Sequence, residues 1–153
     1  MHTLDSFCAW LEATTLSRTI QTVEWVIPAV QTVHILAVAS VVTAVLMLDL
    51  RLIGWGARDL GMAAVARRFL PFVWWPLPVL LASGATLIVA EPARALENPV
   101  FWLKMGLLAA AIGGTLASRR PLRPGSRLLA VLSFAAWVGI VFAGRWIAYV
   151  QGG

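Results

Sequence analysis

Charge is scarce in this chain. Of 153 residues, 12 are Lys or Arg and 7 are Asp or Glu, together 12%, about half the usual share of a soluble domain. Apolar residues reach 60%. A soluble fold of this length could not hide so much apolar surface, so the sequence excludes an ordinary water-soluble domain and implies one membrane domain. Cysteine is scarcer still: Cys8 stands alone, which excludes an internal disulfide and a multi-thiolate zinc site. Only two histidines occur, His2 and His34. No nucleophile–base–acid set falls at one depth, so nothing points to a hydrolase. The opening segment carries Asp5 and Glu12, has no basic start and no long apolar centre. It does not read as a signal peptide, and the first apolar run is expected to act as its own uncleaved insertion signal.

What the chain has instead is apolar runs. A span needs ~20 mostly apolar residues, and four are expected, at about 23–53, 69–90, 99–117 and 128–150. The predicted fold class is all-α, an integral membrane four-helix bundle with a short N-terminal surface helix over about Thr3–Thr14, with Thr3 as a candidate cap. Phe7, Trp10, Leu11 and Thr14 share one face of that helix. Pro71, Pro76 and Pro78 are expected to distort the start of the second span, because each removes a backbone donor.

The connections carry opposite charge signatures. The first holds Arg51, Arg58, Arg67 and Arg68 against Asp59, and the third holds Arg119, Arg120, Arg123 and Arg127 with no acid. The second holds Glu91 and Glu97 with only Arg94. Lys/Arg-rich short loops stay in the cytoplasm, so the N- and C-termini are expected outside, in the periplasm of a bacterial inner membrane. The net charge of +5 then belongs to topology. No basic stripe is interleaved with aromatics, as nucleic-acid binding would need. Trp10, Trp25, Trp102, Trp146 and Tyr149 fall at the expected outer boundary and Trp55 at the inner one, as an aromatic belt would.

The first span carries the unusual residues. At ~100° per residue, Glu24, Gln31, His34 and Asp49 project within about an 80° arc, which is expected to face the interior because lipid cannot satisfy them. His34 lies deep in the run Val26–Leu48, and an ionisable group at that depth is a functional-site hypothesis by default. Asp49, beside Arg51, reads as a boundary ion pair or a cap. Glu24, Lys104 and Arg145 come from three spans at similar outer depth, with Arg145 the expected partner of Glu24. Glu91 is a candidate fourth. Two readings follow. One is a charge network that fixes helix register, with Lys104 and Arg145 snorkelling outward. The other is a polar cavity open to the periplasm with His34 at its floor, whose cations suit an anionic ligand such as haem propionates. Ser83-Gly84 and Ala143-Gly144 read as small residues permitting close helix packing.

Three stretches carry a resemblance. Val33-His34-Ile35-Leu36 through Asp49-Leu50-Arg51-Leu52-Ile53-Gly54, Asn98–Met105, and Gly144–Tyr149 resemble small four-helix bacterial membrane proteins of unknown function, whose first span reads VHILxLxxxxGxxxxxDLRLxG. Val38 and Thr43 depart from the pattern, Thr43 replacing a mid-span glycine. The resemblance covers nearly the whole chain. It implies the fold and places His34, Asp49, Arg51, Lys104 and Arg145 in a shared pattern. The grouping is distantly similar to the copper-resistance D membrane domain and to four-helix b-type cytochromes. Some relatives place a histidine near the cytoplasmic end of span three, where this chain reads Gly113–Ser118.

Three activities remain open. In a b-type haem protein used for electron transfer, His34 would be the metal ligand, with Gln31, Glu24, Lys104 and Arg145 around the cofactor. Met105, a shared haem across a homodimer, or a partner subunit would complete the iron. In a copper-handling protein the soft candidates are Met1, His2, Cys8, His34, Met47, Met62 and Met105. In a non-catalytic membrane subunit or scaffold, His34 would hydrogen-bond Gln31 or a neighbouring helix. In each case the partners are the lipid bilayer and a homodimer or larger membrane complex.

Overall fold

Thr14, Pro71, Pro76, Asn98 and Gly54 punctuate a chain that is otherwise almost continuously helix-forming. The computed structural model describes residues 2–55, 61–117 and 127–147. The arginines of the third connection up to Arg123, together with Met1, Arg58, Asp59 and Tyr149, lie outside the described residues. Among the described residues the fold is all-helical, with no strand.

The N-terminal segment forms two short helices, α1 (His2–Glu12) and α2 (Thr15–Thr22). Thr3 lies inside α1 and does not cap it. The cap is Thr14, whose Oγ1 accepts from Ser17 N at 3.3 Å and starts α2. The long helix α3 (Val26–Ile53) follows a short turn at Val23–Trp25. Pro28 sits in its first turn, where a missing N–H leaves no intrahelical bond unmade. α3 ends at Gly54, whose φ of +87° is left-handed, and Trp55 N reaches back to Leu50 O at 2.8 Å. This is a C-terminal stop that glycine makes without a steric cost.

The second apolar stretch starts earlier than expected and is segmented by its prolines into α4 (Met62–Phe69), α5 (Pro71–Trp74) and α6 (Pro76–Ala90). Pro71 and Pro76 each open a helix at its first position, while Pro78 falls within the first turn of α6 and breaks nothing. Leu70 and Trp75 at the joints keep right-handed helical dihedrals, so the stretch runs on as one stepped rod. A short α7 (Pro92–Leu96) leads to α8 (Pro99–Ala117), and α9 (Arg127–Trp146) completes the described fold. Asn98 is buried and caps α8, its Oδ1 accepting from Val100 N at 2.9 Å.

α3 packs against α6 on one side and α9 on the other, and α9 in turn packs against α8. The four long helices therefore lie in the order α6, α3, α9, α8. Among the described residues α6 and α8 meet only through α7 and leave that side open. Val41, Ala44, Val45, Val73, Ala111, Trp137 and Ile140 form the core. Large apolar side chains point outward from every long helix: Leu36 on α3, Leu81 on α6, Leu103 on α8 and Phe142 on α9 are each more than half exposed. Two helical stretches, Val26–Ile53 and Met62–Ala90, are long and apolar enough to cross a membrane, and shorter apolar stretches run over Pro99–Gly113 and Ala130–Trp146.

Gly54 gives a direct check. A Cβ there would meet nothing within 4 Å, so a substitution pays only for the left-handed backbone. Gly54→Val is expected to cost about 1–2 kcal/mol and Gly54→Asn less, read as the shift in thermal midpoint by circular dichroism in detergent. Equal midpoints for all three residues would show that the stop is not conformationally demanding.

Candidate functional site

His34 lies about two turns into α3, half-buried on the face that meets α6. Its Nδ1 is 2.8 Å from Ser83 Oγ. The Ser83 hydroxyl has one proton, and it goes to the Val79 carbonyl at 2.5 Å. Ser83 Oγ must therefore accept, and Nδ1–H of His34 donates. This network assigns the tautomer: Nε2 carries the free lone pair. Gly84 lies beside the ring, where a Cβ would stand 3.7 Å from Cε1. Ser83 was readable in the sequence only as a small packing residue. The missed signal was a hydroxyl in an apolar helix, which must find a partner once water is excluded.

Lys104 on α8 is half-buried and crosses α9 at Gly144. A Cβ on Gly144 would lie 3.6 Å from Lys104 Nζ and 3.7 Å from its Cε. Lys104 is near enough to His34 for its charge to act on the imidazole. The two residues stand on helices that do not themselves pack, and no hydrogen bond joins them. Met105 follows Lys104 and points about 100° away around α8, and α8 approaches neither α3 nor α6 among the described residues.

The other expected members fall elsewhere. Glu24 is not on α3: it sits exposed in the turn between α2 and α3, because that helix starts two residues later. The single inward arc through Glu24, Gln31, His34 and Asp49 therefore does not exist. Gln31 is exposed. Arg145 is exposed next to Gly144, and no ion pair joins it to Glu24. Glu91 pairs with Arg94 at 2.8 Å instead, a neighbour one turn away on α7. In place of Glu24, Gln21 ties this end together, its Nε2 donating to Ala90 O at 2.7 Å and to Ser17 Oγ at 3.1 Å. That bond satisfies a carbonyl at the end of α6 that has no helical partner.

Asp49 does not sit in a boundary ion pair. Its side chain is 4% exposed and hydrogen-bonds Ser133 on α9. Its Oδ2 has no partner, and neither does the buried Trp137 Nε1 one turn along α9. Cys8 is buried where α1 packs on α7. Burial pushes its thiol up, and the Glu97 carboxylate pushes it further. Among the described residues no group of three or more His, Cys, Asp or Glu could hold a metal ion. The copper candidates are dispersed over α1, α3, α4 and α8.

Residues 7–150 match the model of a family of unknown function, DUF6644. The chain belongs to that family. No curated protein and no solved structure matches it.

Two outcomes follow from this chemistry. Ser133→Ala strands the Asp49 carboxyl and is expected to cost about 1–3 kcal/mol, more than Asp49→Asn, which keeps a partner for the Ser133 hydroxyl. Thermal midpoints of the two variants decide the order. A raised pKa keeps Cys8 protonated at neutral pH, so maleimide labelling at pH 7.5 is expected to be slower than that of a free thiol, whose pKa is about 8.5. Labelling is expected to quicken as pH rises and in Glu97→Gln. Labelling at the rate of a free thiol would contradict the burial.

Proposed function

We propose that the chain is a multi-pass protein of the bacterial inner membrane whose four long helices form a spanning bundle, with both termini in the periplasm. Support comes from the two helical stretches long enough to cross and from Leu36, Leu81, Leu103 and Phe142, which would face lipid. Arg51, Arg67 and Arg68 would then lie on the cytoplasmic side, while the acidic turn carrying Glu91 and Glu97 would lie outside. α1 would rest on the outer surface. Its Phe7 and Trp10 are exposed on one face, which suits an interfacial anchor.

Within this frame the best reading of the site is a b-type haem-binding, electron-transfer subunit in which His34 supplies an axial ligand. The observation that carries it is the Nδ1–H to Ser83 bond. Ligating histidines characteristically donate their other ring N–H to an oxygen, which fixes the tautomer and raises the basicity of the free nitrogen. Lys104 supplies a cation for a propionate on the outer side, as Arg145 would at the rim. The donor set fits one axial position. Met105 lies on a helix that does not approach α3, so the second ligand would come from a second copy or a partner subunit. Bound haem would supply a one-electron redox couple tuned by its axial ligands.

The second reading is a non-catalytic membrane subunit in which the His34–Ser83 bond serves only to join α3 to α6. The bond itself favours it, since both groups are satisfied in apolar surroundings. Purified protein from cells supplied with haem precursor is expected to give a reduced-minus-oxidised b-type band. His34→Ala is expected to abolish it, and Ser83→Ala to shift or weaken it without abolishing it. Colourless protein with an intact helical spectrum would leave the scaffold reading alone.

A further inference from the structure

α3 and the α5–α6 rod enclose an apolar groove along their outer seam. Its larger chamber, about 660 Å³, lies between Val33, Ala37 and Ser40 of α3 and Phe72, Trp75 and Val79 opposite. These are matched stripes: positions 33, 37 and 40 fall at helical spacing on one face, as do 72, 75 and 79 on the other. A second chamber of about 390 Å³ shares Val33 and Val79 and carries the groove on to Ala29 and Thr86. At ~1.5 Å per residue, Phe72 to Val79 covers about 10 Å, and about 16 Å counted from Arg68 one turn earlier. One leaflet of the hydrocarbon core is about 15 Å deep. The larger chamber, counted from the α4 end, is therefore about one leaflet deep, and its walls are open: Trp75 is 79% and Phe72 57% exposed.

What lies at one end distinguishes this groove from ordinary lipid-facing surface. Arg67 and Arg68 occupy the last turn of α4, one turn before Pro71 and Phe72. Leu70 keeps helical dihedrals and its N–H bonds Ala66 O, so the helical register runs on through the joint. Arg68 then shares a stripe with Phe72, and Arg67 with Pro71. Both arginines are exposed, and neither bonds another side chain among the described residues. Among the described residues a continuous helical face thus runs from two unpaired cations into the larger apolar chamber, which ends about one leaflet away from them.

We propose that this groove is a binding site for an anionic phospholipid. One acyl chain lies between α3 and the α5–α6 rod, and the phosphate sits on Arg67 and Arg68. The assignment rests on the reading of the chain as membrane-spanning. Charge complementarity selects the headgroup, and the depth of the larger chamber selects a single chain within the leaflet that holds the α4 end. Trp75 and Phe72 clamp the upper part of that chain.

The test uses the full chain in membranes of equimolar phosphatidylglycerol and phosphatidylcholine, extracted in mild detergent, with co-purifying lipid measured by mass spectrometry. Wild type is expected to retain phosphatidylglycerol preferentially. Arg67→Gln with Arg68→Gln is expected to lower that preference by about 30-fold, from roughly 1 kcal/mol per arginine near an anionic surface. Arg67→Lys with Arg68→Lys is expected to keep most of it. Val33→Trp with Val79→Trp fills the groove at two exposed positions and is expected to lower retention of both lipids. No preference in wild type, an unchanged preference in the Gln pair, or full retention in the groove-filled variant each overturns the proposal. Alkaline carbonate washing separates the two levels. Release of the chain removes the membrane reading and the lipid site together. A chain that stays in the membrane without lipid preference removes the lipid site alone.

Discussion

The hydrogen bond from His34 to Ser83 is the interaction around which the apolar helices are organised. A polar atom packed between apolar side chains loses water, so a partner from another helix satisfies it and favours the faces that bring the two together. Ser83 answers His34 across α3 and α6. Ser133 answers Asp49 across α3 and α9. Apolar packing alone is weakly selective between such faces, since many rotations would bury similar Val and Ala side chains. The two polar contacts, at different heights of α3, remove that freedom and set α3 between its neighbours.

The same constraint explains the economy of the core. Val41, Ala44, Val45 and Ala111 are small, which lets the helices approach closely enough for short side chains such as Ser83 and Ser133 to reach across. Bulk is placed outside, in Leu36, Leu81, Leu103 and Phe142. The constraint is incompletely met at two buried atoms, Asp49 Oδ2 on α3 and Trp137 Nε1 on α9. Gly144 lies against the Lys104 side chain, where a Cβ would come within 3.6 Å of Nζ.

Much of the fold was legible in the sequence. Apolar runs and prolines mark helices because they act locally through hydropathy and backbone dihedrals. His34 also stood out alone, through the rarity of an ionisable group in such a run. The rest of the candidate site was not legible. Glu24 and Gln31 were grouped with His34 by assuming one helix running from residue 23, but the chain turns at Val23–Trp25. The angular argument therefore loses Glu24. Gln31 fails for another reason: a helix wheel gives relative directions and cannot say which direction is inward. Ser83 and Ser133 were invisible as partners because a serine on a distant helix has no sequence signature of contact.

The sequence by itself determined that this protein is helical and apolar and where its stretches stop, since each depends on neighbours a few residues away. It also singled out His34 and Asp49 as polar groups needing an answer. Only the tertiary structure decided what answers them: Ser83 for one and Ser133 for the other. The order α6, α3, α9, α8 and the open side between α6 and α8 were likewise tertiary decisions. The physical reason is that pairing across helices depends on their rotation and height relative to one another, quantities fixed by the sum of many contacts and written in no single segment.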